Sequence, residues 1–135
     1  MHLTTYRCSD AQAIIHTHSK YAVAVGTIAD ELPAIHYTIN VLGGPVRVVP
    51  FEVFGSRELA AAAAAAFVDR QGILLRNHGA VTYGSVLAQA LDRTVKLEWL
   101  AEIYWHASVA GTPRILSAAE LQAVRDQGAR LAYEA

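Results

Sequence analysis

Apolar runs separated by glycine, proline and polar residues divide the chain into short strands and longer helices. Apolar or β-branched runs bounded by turn residues predict strands at residues 13–17, 46–49, 73–75 and 80–83. Alanine is the best helix former, so the alanine-rich stretch predicts a helix over residues 58–70. Strands and helices mixed in this way indicate an α/β domain.

The second half of the chain has the periodicity of a long helix. Leu87, Leu91 and Val95 recur every four residues, and a broader apolar face follows them. The pattern predicts a helix over residues 86–110, which Gly111 ends.

Other segments carry weaker signals for helices. Ser117 and Glu120 have the capping-box spacing that opens a last helix. A short helix over residues 34–41 is expected to end at Gly43 and the glycine after it. Residues 20–26 are rich in alanine and valine and fit a helix turn or a strand equally well.

Length and composition indicate one domain, residues 1–135. Of the 135 residues, 53% are hydrophobic, which is enough to fill a core. Only 17% are charged, and this low share favours further burial in an oligomer. The net charge is −1 and no basic run is present, so nucleic acid is not an expected partner.

Cysteine usage and the apolar runs suggest the compartment. Cys8 is the only cysteine, so no internal disulfide can form and a reducing cytoplasm is expected. The first ten residues lack the basic start and apolar stretch of a signal peptide. The longest apolar run, residues 59–68, is mostly alanine and too short to span a bilayer. We therefore expect a cytoplasmic protein that does not enter a membrane.

Two histidines, His16 and His18, lie at the end of the first predicted strand. Side chains at i and i+2 on a strand point to the same face, so the two imidazoles can converge on one ion. Zinc and similar cations accept neutral imidazole nitrogen, but two ligands are too few for a site. A third ligand is required, because this spacing also arises by chance in strands.

His78 is the candidate for the third ligand. It lies between two apolar strands, in a turn whose Gly79 permits unusual backbone angles. A histidine at a strand end can reach the edge of a neighbouring strand. His106, on the long helix, is interpreted as an ordinary surface or interface residue. The residues therefore nominate His16, His18 and His78 as one metal site.

The chain resembles the class II aldolase/adducin family in five segments that keep the family's order and spacing. They are AIIHTHSKYAVAV, LPAIHY, FEVFGSREL, LLRNHGAVTYG and ALDRTVKLEWLAEIY. We expect an α/β fold with a central, mostly antiparallel sheet and helices on both faces. The resemblance implies that three histidines, matching His16, His18 and His78, bind a divalent cation, which in the family is zinc.

The resemblance also implies a reaction. A zinc-dependent aldolase would cleave a ketose 1-phosphate, such as L-fuculose 1-phosphate, into dihydroxyacetone phosphate and an aldehyde. The zinc would act as a Lewis acid and stabilise the enediolate left when the carbon–carbon bond breaks. Tyr37 matches a family tyrosine that helps to protonate the aldehyde oxygen, and Phe54 matches an apolar wall near the aldehyde. Tyr133 could stand in for a family tail tyrosine that reaches a neighbouring subunit's site.

In the family, activity depends on assembly and on groups in the N-terminal third of the domain. Members are typically tetramers with active sites at subunit boundaries, so we expect a homo-oligomer, a tetramer before a dimer. The family's N-terminal third supplies loops that grip the substrate phosphate and a glutamate that acts as acid/base. No counterpart of these groups precedes His16, and Asp10 is the first acidic residue. We therefore expect residues 1–135 to correspond to an N-terminally truncated form of the family's domain, its C-terminal two-thirds, with the acid/base glutamate and the phosphate clamp absent.

Three interpretations are open. The chain is an active zinc-dependent aldolase, a metal-binding fragment with little activity alone, or a non-catalytic adducin-like interaction module. Retention of three histidines disfavours the module, which has no need of them. Relatives that decarboxylate, dehydrate or epimerise sugar phosphates use the same metal triad, so the triad does not define the reaction. A cupin-type barrel also uses His-x-His, but the helix-rich second half argues against it.

Overall fold

The computed structural model describes residues 2–131 as alternating helices and short strands. The α-helices are α1 (His2–Cys8), α2 (Lys20–Ile28), α3 (Arg57–Ala66), α4 (Leu87–Ala110) and α5 (Ala118–Arg130). The strands are β1 (Ala13–Thr17), β2 (Glu31–Leu32), β3 (Val46–Val49), β4 (Gly72–Leu75) and β5 (Gly79–Gly84). A 3₁₀ helix spans Tyr37–Leu42. The expected α/β class is confirmed.

The strands form one mixed sheet in the order β1-β5-β4-β3-β2. β1 pairs antiparallel with β5, and His16 lies opposite Val81 in this register. β5 also pairs antiparallel with β4, while β4 lies parallel to β3 and β2 adds a short antiparallel edge. The described sheet is therefore mostly antiparallel, as expected. β5 lies between β1 and β4, so it joins the two segments that carry the histidines.

Helices cover both faces of the sheet because side chains alternate along each strand. On β4, Leu74 packs into a core with α2, α4 and α5. Its neighbours Ile73 and Leu75 point to the opposite face and pack into a second core with α3. All three side chains are buried, and each such burial contributes roughly 1.5–3 kcal/mol.

The alanine-rich helix α3 ends at Ala66, whereas the sequence predicted an end at Arg70. Phe67 follows and turns its ring into the core, where the ring centroid lies 5.3 Å from that of Tyr83. Asp69 then takes a left-handed backbone with φ of 59°, which no α-helix contains. Core packing of one aromatic ring therefore overrides the helix propensity of the preceding alanines.

Residues 20–26, which fit a helix turn or a strand by sequence, belong to α2. The N-terminus of α2 is held by a side chain of α4. The Glu98 carboxylate accepts hydrogen bonds from the backbone N–H groups of Tyr21 and Ala22, each at 2.8 Å. This long-range cap satisfies two of the donors that every helix leaves free at its start.

The segment predicted as a helix over residues 34–41 is a 3₁₀ helix over Tyr37–Leu42. His36 caps its start, because Nδ1 accepts a hydrogen bond from the Thr38 N–H at 3.1 Å. Gly43 ends it with a left-handed backbone at φ of 84°. The predicted stop is confirmed, and the type of helix is corrected.

Helix α4 packs one face against the sheet and leaves another in solvent. Its buried face includes Leu97, Leu100 and Ala101. Its exposed face carries four apolar residues four positions apart, called the α4 stripe here: Leu87, Leu91, Val95 and Trp99. Trp105, by contrast, is half-buried against the core. Among residues 2–131, neither α4 nor any other helix combines the length and the apolar character needed to cross a membrane.

Candidate metal centre

His16 and His18 extend from β1 on the same face, as their spacing predicted. His16 is the fourth residue of β1, and His18 follows the end of the strand. The Nε2 atoms of the two rings lie 3.0 Å apart. Pairing of β1 with β5 fixes the direction of this face, so the histidine pair lies where the first and fifth strands meet.

His78 reaches the pair from the turn between β4 and β5. Its backbone N–H donates a hydrogen bond to the carbonyl oxygen of Leu75 at 3.1 Å, which closes the turn. The left-handed residue of this turn is Asn77, with φ of 55°. Gly79, which permits unusual backbone angles, is not among the described glycines with a positive φ. The turn uses Asn77 instead, and asparagine tolerates the left-handed region.

The three imidazoles converge on a single point. One ligand nitrogen from each of His16, His18 and His78 lies within 4.8 Å of the others. The ring centroids are 4.8, 4.9 and 5.1 Å apart. Ligands at about 2.0–2.1 Å from a tetrahedral ion stand about 3.3 Å apart, so small side-chain shifts bring these nitrogens to an ion. The site could therefore hold a metal ion.

The second ring nitrogen of His16 fixes how this side chain presents its lone pair. Nδ1 lies 2.9 Å from the carbonyl oxygen of Ala80, so the neutral ring donates its Nδ1–H there. Nε2 then carries the lone pair and faces the other two imidazoles. Metal-binding histidines commonly make such a bond to a carbonyl or carboxylate, which sets the tautomer and the ring orientation.

The surroundings of His16 and His78 favour the neutral form of both rings. Burial lowers the pKa of His16, against a smaller raising effect of its hydrogen bond to Ala80, and the nearby histidines lower it further. Burial also lowers the pKa of His78, and the neighbouring His18 adds to the lowering. Neutral imidazole is the form that binds a cation, so the surroundings prepare these rings for metal.

A cleft of about 620 Å³ opens beside the triad. Asn77 and the loop between β3 and α3 complete its wall, and the loop contributes Phe51, Glu52, Val53 and Phe54. Phe54, the predicted apolar wall, lines the cleft and is 82% exposed. The cleft therefore combines a cation-binding point with a largely apolar side.

Three lining residues, Phe51, Glu52 and Val53, were not predicted from the sequence to line the site. The loop that carries them has no regular structure and no periodicity. The signal that could have found them is their position directly before Phe54, in the same family-like segment.

Tyr37 does not line the triad's cleft within residues 2–131. It begins the 3₁₀ helix, is 52% exposed, and lines two other cavities together with residues of α5. The His36 ring lies between Tyr37 and Trp99: it is tilted by 31° to the Tyr37 ring at a centroid distance of 4.2 Å, and meets the Trp99 ring edge-on at 5.0 Å. Tyr37 is therefore presented on the surface, next to the α4 stripe. Tyr133, the other predicted catalytic tyrosine, lies outside the described residues.

His106, interpreted as a surface residue, is exposed on α4. Its Nε2 lies 3.4 Å from the hydroxyl of Tyr21 and 3.9 Å from a carboxylate oxygen of Glu102. These neighbours are on α2 and α4, and His106 is not part of the triad.

The sequence of the chain matches a known domain over most of its length. A family model described as the class II aldolase and adducin N-terminal domain matches residues 1–105. The match includes the three histidines, Tyr37 and Phe54.

Named relatives and a solved structure agree with this family. The 5-deoxy-D-ribulose 1-phosphate aldolase of Bacillus thuringiensis serovar kurstaki is 37% identical over 123 residues, which cover 90% of this chain and 58% of the relative. The 5-methylthioribulose-1-phosphate/5-deoxyribulose-1-phosphate aldolase of Rhodospirillum rubrum is 34% identical, covering 87% and 54%. A solved L-fuculose 1-phosphate aldolase superposes with a TM-score of 0.88 at 36% identity, covering 93% of this chain and 60% of that one. The chain thus spans little more than half the length of these proteins.

Proposed function

Because the chain belongs to the class II aldolase and adducin family, we propose that it carries the metal centre of a lyase that cleaves a sugar phosphate by a retro-aldol reaction. The observation that carries this proposal is the convergence of three imidazoles at one end of an open cleft. Relatives named as aldolases of ketose 1-phosphates support the substrate class.

The proposed reaction breaks the bond between C3 and C4 of a ketose 1-phosphate. The C4 hydroxyl loses its proton and becomes an aldehyde, the electron pair stays on C3, and C3 gains a proton to give dihydroxyacetone phosphate. A divalent cation supplies a Lewis acid for the negative charge that develops on the substrate oxygens.

We propose zinc as the cation and His16, His18 and His78 as its protein ligands. Three neutral imidazoles with one open position are a ligand set of catalytic zinc sites. His16 supports this choice, since its bond to Ala80 directs Nε2 toward the other two rings. The chain's own part in the reaction is to hold these rings in place and to shape the cleft.

We further propose that Tyr37 acts in the site of a neighbouring subunit. Its surface position and its absence from the lining of its own subunit's cleft support this role. The adjacent α4 stripe is an apolar surface of the kind that subunit contacts bury. A homo-oligomer, a tetramer first, would then bring Tyr37 to a second triad, where it would protonate the aldehyde oxygen in the reverse, bond-forming direction of the reaction.

Phe54 is proposed to contact the aldehyde part of the substrate. Its ring lies at the cleft and is largely exposed, so a ligand in the cleft would cover it. Covering an exposed aromatic ring is favourable because apolar surface leaves water. Tyr133 keeps its proposed role at a neighbouring site on the strength of the family resemblance alone.

The test is an assay of the zinc-loaded 135-residue chain with L-fuculose 1-phosphate and 5-deoxy-D-ribulose 1-phosphate. We expect dihydroxyacetone phosphate to form slowly, below about 1 per second. A positioned acid/base group typically contributes about 10²–10⁴-fold to the rate, and no residue before His16 corresponds to the family's acid/base glutamate. The His16→Ala/His18→Ala variant is the background control.

The products decide between reactions. Carbon dioxide or an epimer without dihydroxyacetone phosphate would assign the chain to a related reaction of the same triad. Turnover in the usual enzyme range would show that the acid/base group is already present. In that case Tyr37→Phe should still slow the reaction, and an unchanged rate would remove Tyr37 from the mechanism.

A further inference from the structure

Glu52 lines the cleft in a loop where the apolar residues are exposed and the charged residue is partly buried, the reverse of the usual surface pattern. Its three neighbours in the loop, Phe51, Val53 and Phe54, are all exposed, while the carboxylate-bearing residue between them is half-buried. All four residues line the cleft beside the triad. A partly buried charged residue among exposed apolar neighbours needs a reason, because burial of charge is costly.

No protein group in residues 2–131 provides that reason. Glu52 makes no hydrogen bond and no ion pair with any described residue. Neither lysine nor arginine is among the described residues that line the cleft. The Glu52 carboxylate therefore lines the cleft without a described protein partner. A ligand with hydroxyl groups can donate hydrogen bonds to it directly.

We propose that Glu52 is a specificity-determining residue that accepts hydrogen bonds from hydroxyl groups of the substrate, in the part that becomes the aldehyde. This inference rests on the proposed function and names a group within its site. The ligand class is a polyhydroxylated sugar phosphate. Asn77, on the cleft wall beside His78, offers an amide that can donate and accept hydrogen bonds to the same ligand.

The charge of Glu52 also sets the direction in which the substrate lies. Two negative groups repel each other, and the repulsion is stronger inside a cleft than in bulk water. With no described lysine or arginine in the lining to offset it, the phosphate lies away from Glu52. The hydroxylated tail then lies against the loop, with Phe54 covering its apolar edge.

The test is a binding measurement on the zinc-loaded 135-residue chain, so it does not depend on turnover. The two probes are L-fucitol 1-phosphate and glycerol 3-phosphate. Neither has a carbonyl group, so neither can be cleaved, and only the first has the additional hydroxyls of the tail. We expect calorimetry to show that Glu52→Ala weakens the binding of L-fucitol 1-phosphate by about 10- to 100-fold. This is the size of effect expected when hydrogen bonds to a charged group are lost. The loss for glycerol 3-phosphate is expected to be much smaller.

Matched variants separate charge from structure. Glu52→Gln removes the charge at constant size, and we expect it to strengthen the binding of inorganic phosphate. Glu58 is an exposed glutamate in the first turn of α3. Glu58→Gln should leave the affinity for both probes unchanged. Circular dichroism and retained zinc uptake verify that each variant folds.

The possible failures are distinguishable. Equal losses for both probes in Glu52→Ala, or no loss for L-fucitol 1-phosphate, would overturn the role of Glu52 while the proposed function stands. A wild-type chain that takes up zinc but binds neither L-fucitol 1-phosphate nor glycerol 3-phosphate would overturn the proposed function, and the role of Glu52 with it.

Discussion

Gly79 on β5 lies so close to Thr17 on β1 that a Cβ atom at residue 79 would stand 2.1 Å from the carbonyl oxygen of Thr17. The same atom would lie 3.0 Å from Cδ2 of the His18 ring. Glycine is therefore required here for a close approach of two strands and not for a left-handed backbone. Since His18 and His78 flank this contact, the glycine sets the separation of the two segments that form the triad.

We expect Gly79→Ala to lower both stability and metal affinity. The added methyl group must push β1 away from β5, and such overpacking typically costs about 1–3 kcal/mol of unfolding free energy. Urea unfolding and zinc titration measure the two effects. The control is Gly128→Ala on α5, where a Cβ meets nothing within 4 Å. Wild-type stability in Gly79→Ala would show that the strands can separate without loss.

We expect one zinc ion per chain, held by His16, His18 and His78 at about 2.0–2.1 Å from each nitrogen. The His16→Ala/His18→Ala variant should lose affinity by more than the 10–100-fold that is typical for outer-shell groups. At about 100 times the dissociation constant, zinc should stabilise the wild-type fold by about 2.7 kcal/mol. Elemental analysis and thermal unfolding check this.

The matched control for the zinc prediction is His106→Ala, since His106 is exposed on α4 and apart from the triad. This variant should keep full zinc content. Equal zinc content in the double variant and the wild type would remove the triad as the metal site.

The capping box of α5 should weaken in acid. Ser117 donates hydrogen bonds to the Glu120 carboxylate from its backbone N–H at 2.7 Å and its hydroxyl at 2.8 Å. The backbone bond, followed by the hydroxyl bond, lowers the pKa of Glu120 from its ordinary 4.5. A carboxyl with a lowered folded-state pKa contributes stability above its unfolded value and loses it as pH falls through the folded value.

The stability difference between the wild type and Glu120→Gln should therefore be complete above pH 4.5 and shrink below it. Unfolding curves of both proteins at a series of pH values measure it. A difference that stays constant down to the acid transition would mean that the ionised carboxylate adds nothing to the cap.

We expect the α4 stripe to be a subunit contact. Leu91→Glu places a charge in the middle of this apolar row, and burial of an unpaired charge is strongly unfavourable. Light scattering should show a homo-oligomer for the wild type and smaller species for Leu91→Glu. Val68→Glu, at an exposed valine after α3, serves as the control and should keep the wild-type mass. A wild-type mass near 14.6 kDa would refute the oligomer.

Local sequence signals predicted the elements whose causes are local. The capping box at Ser117 and Glu120 opens α5 as predicted, and the β-branched run Val46–Val49 is a strand. The failures have distant causes. The start of α2 depends on Glu98 from α4, and α3 ends where Phe67 meets Tyr83. The helix α1 and the two-residue strand β2 carry no periodic signal and were not predicted.

The site residues likewise fall into those predicted from local signals and those that depend on contacts between distant parts of the chain. The spacing of His16 and His18 is a local signal, and strand geometry converts it directly into a shared face. The role of Ala80 could not be predicted, because its carbonyl meets His16 only through strand pairing. Glu52 was also missed, since the burial of a loop side chain depends on the cleft around it. The predicted roles of Tyr37, Phe54 and Tyr133 stay predictions.

The pairing of β1 with β5 also dictates when the triad can exist. The Ala80 carbonyl that orients His16 lies 64 residues further along the chain. Closing a loop of that size costs on the order of 4 kcal/mol in chain entropy, and this cost must be met before the histidines meet. Strand pairing at such separation is slow compared with helix formation. If the triad binds zinc as proposed, a nascent chain has no high-affinity site for the ion until its most distant strands have joined. Uptake of zinc would then report that β1 and β5 have paired.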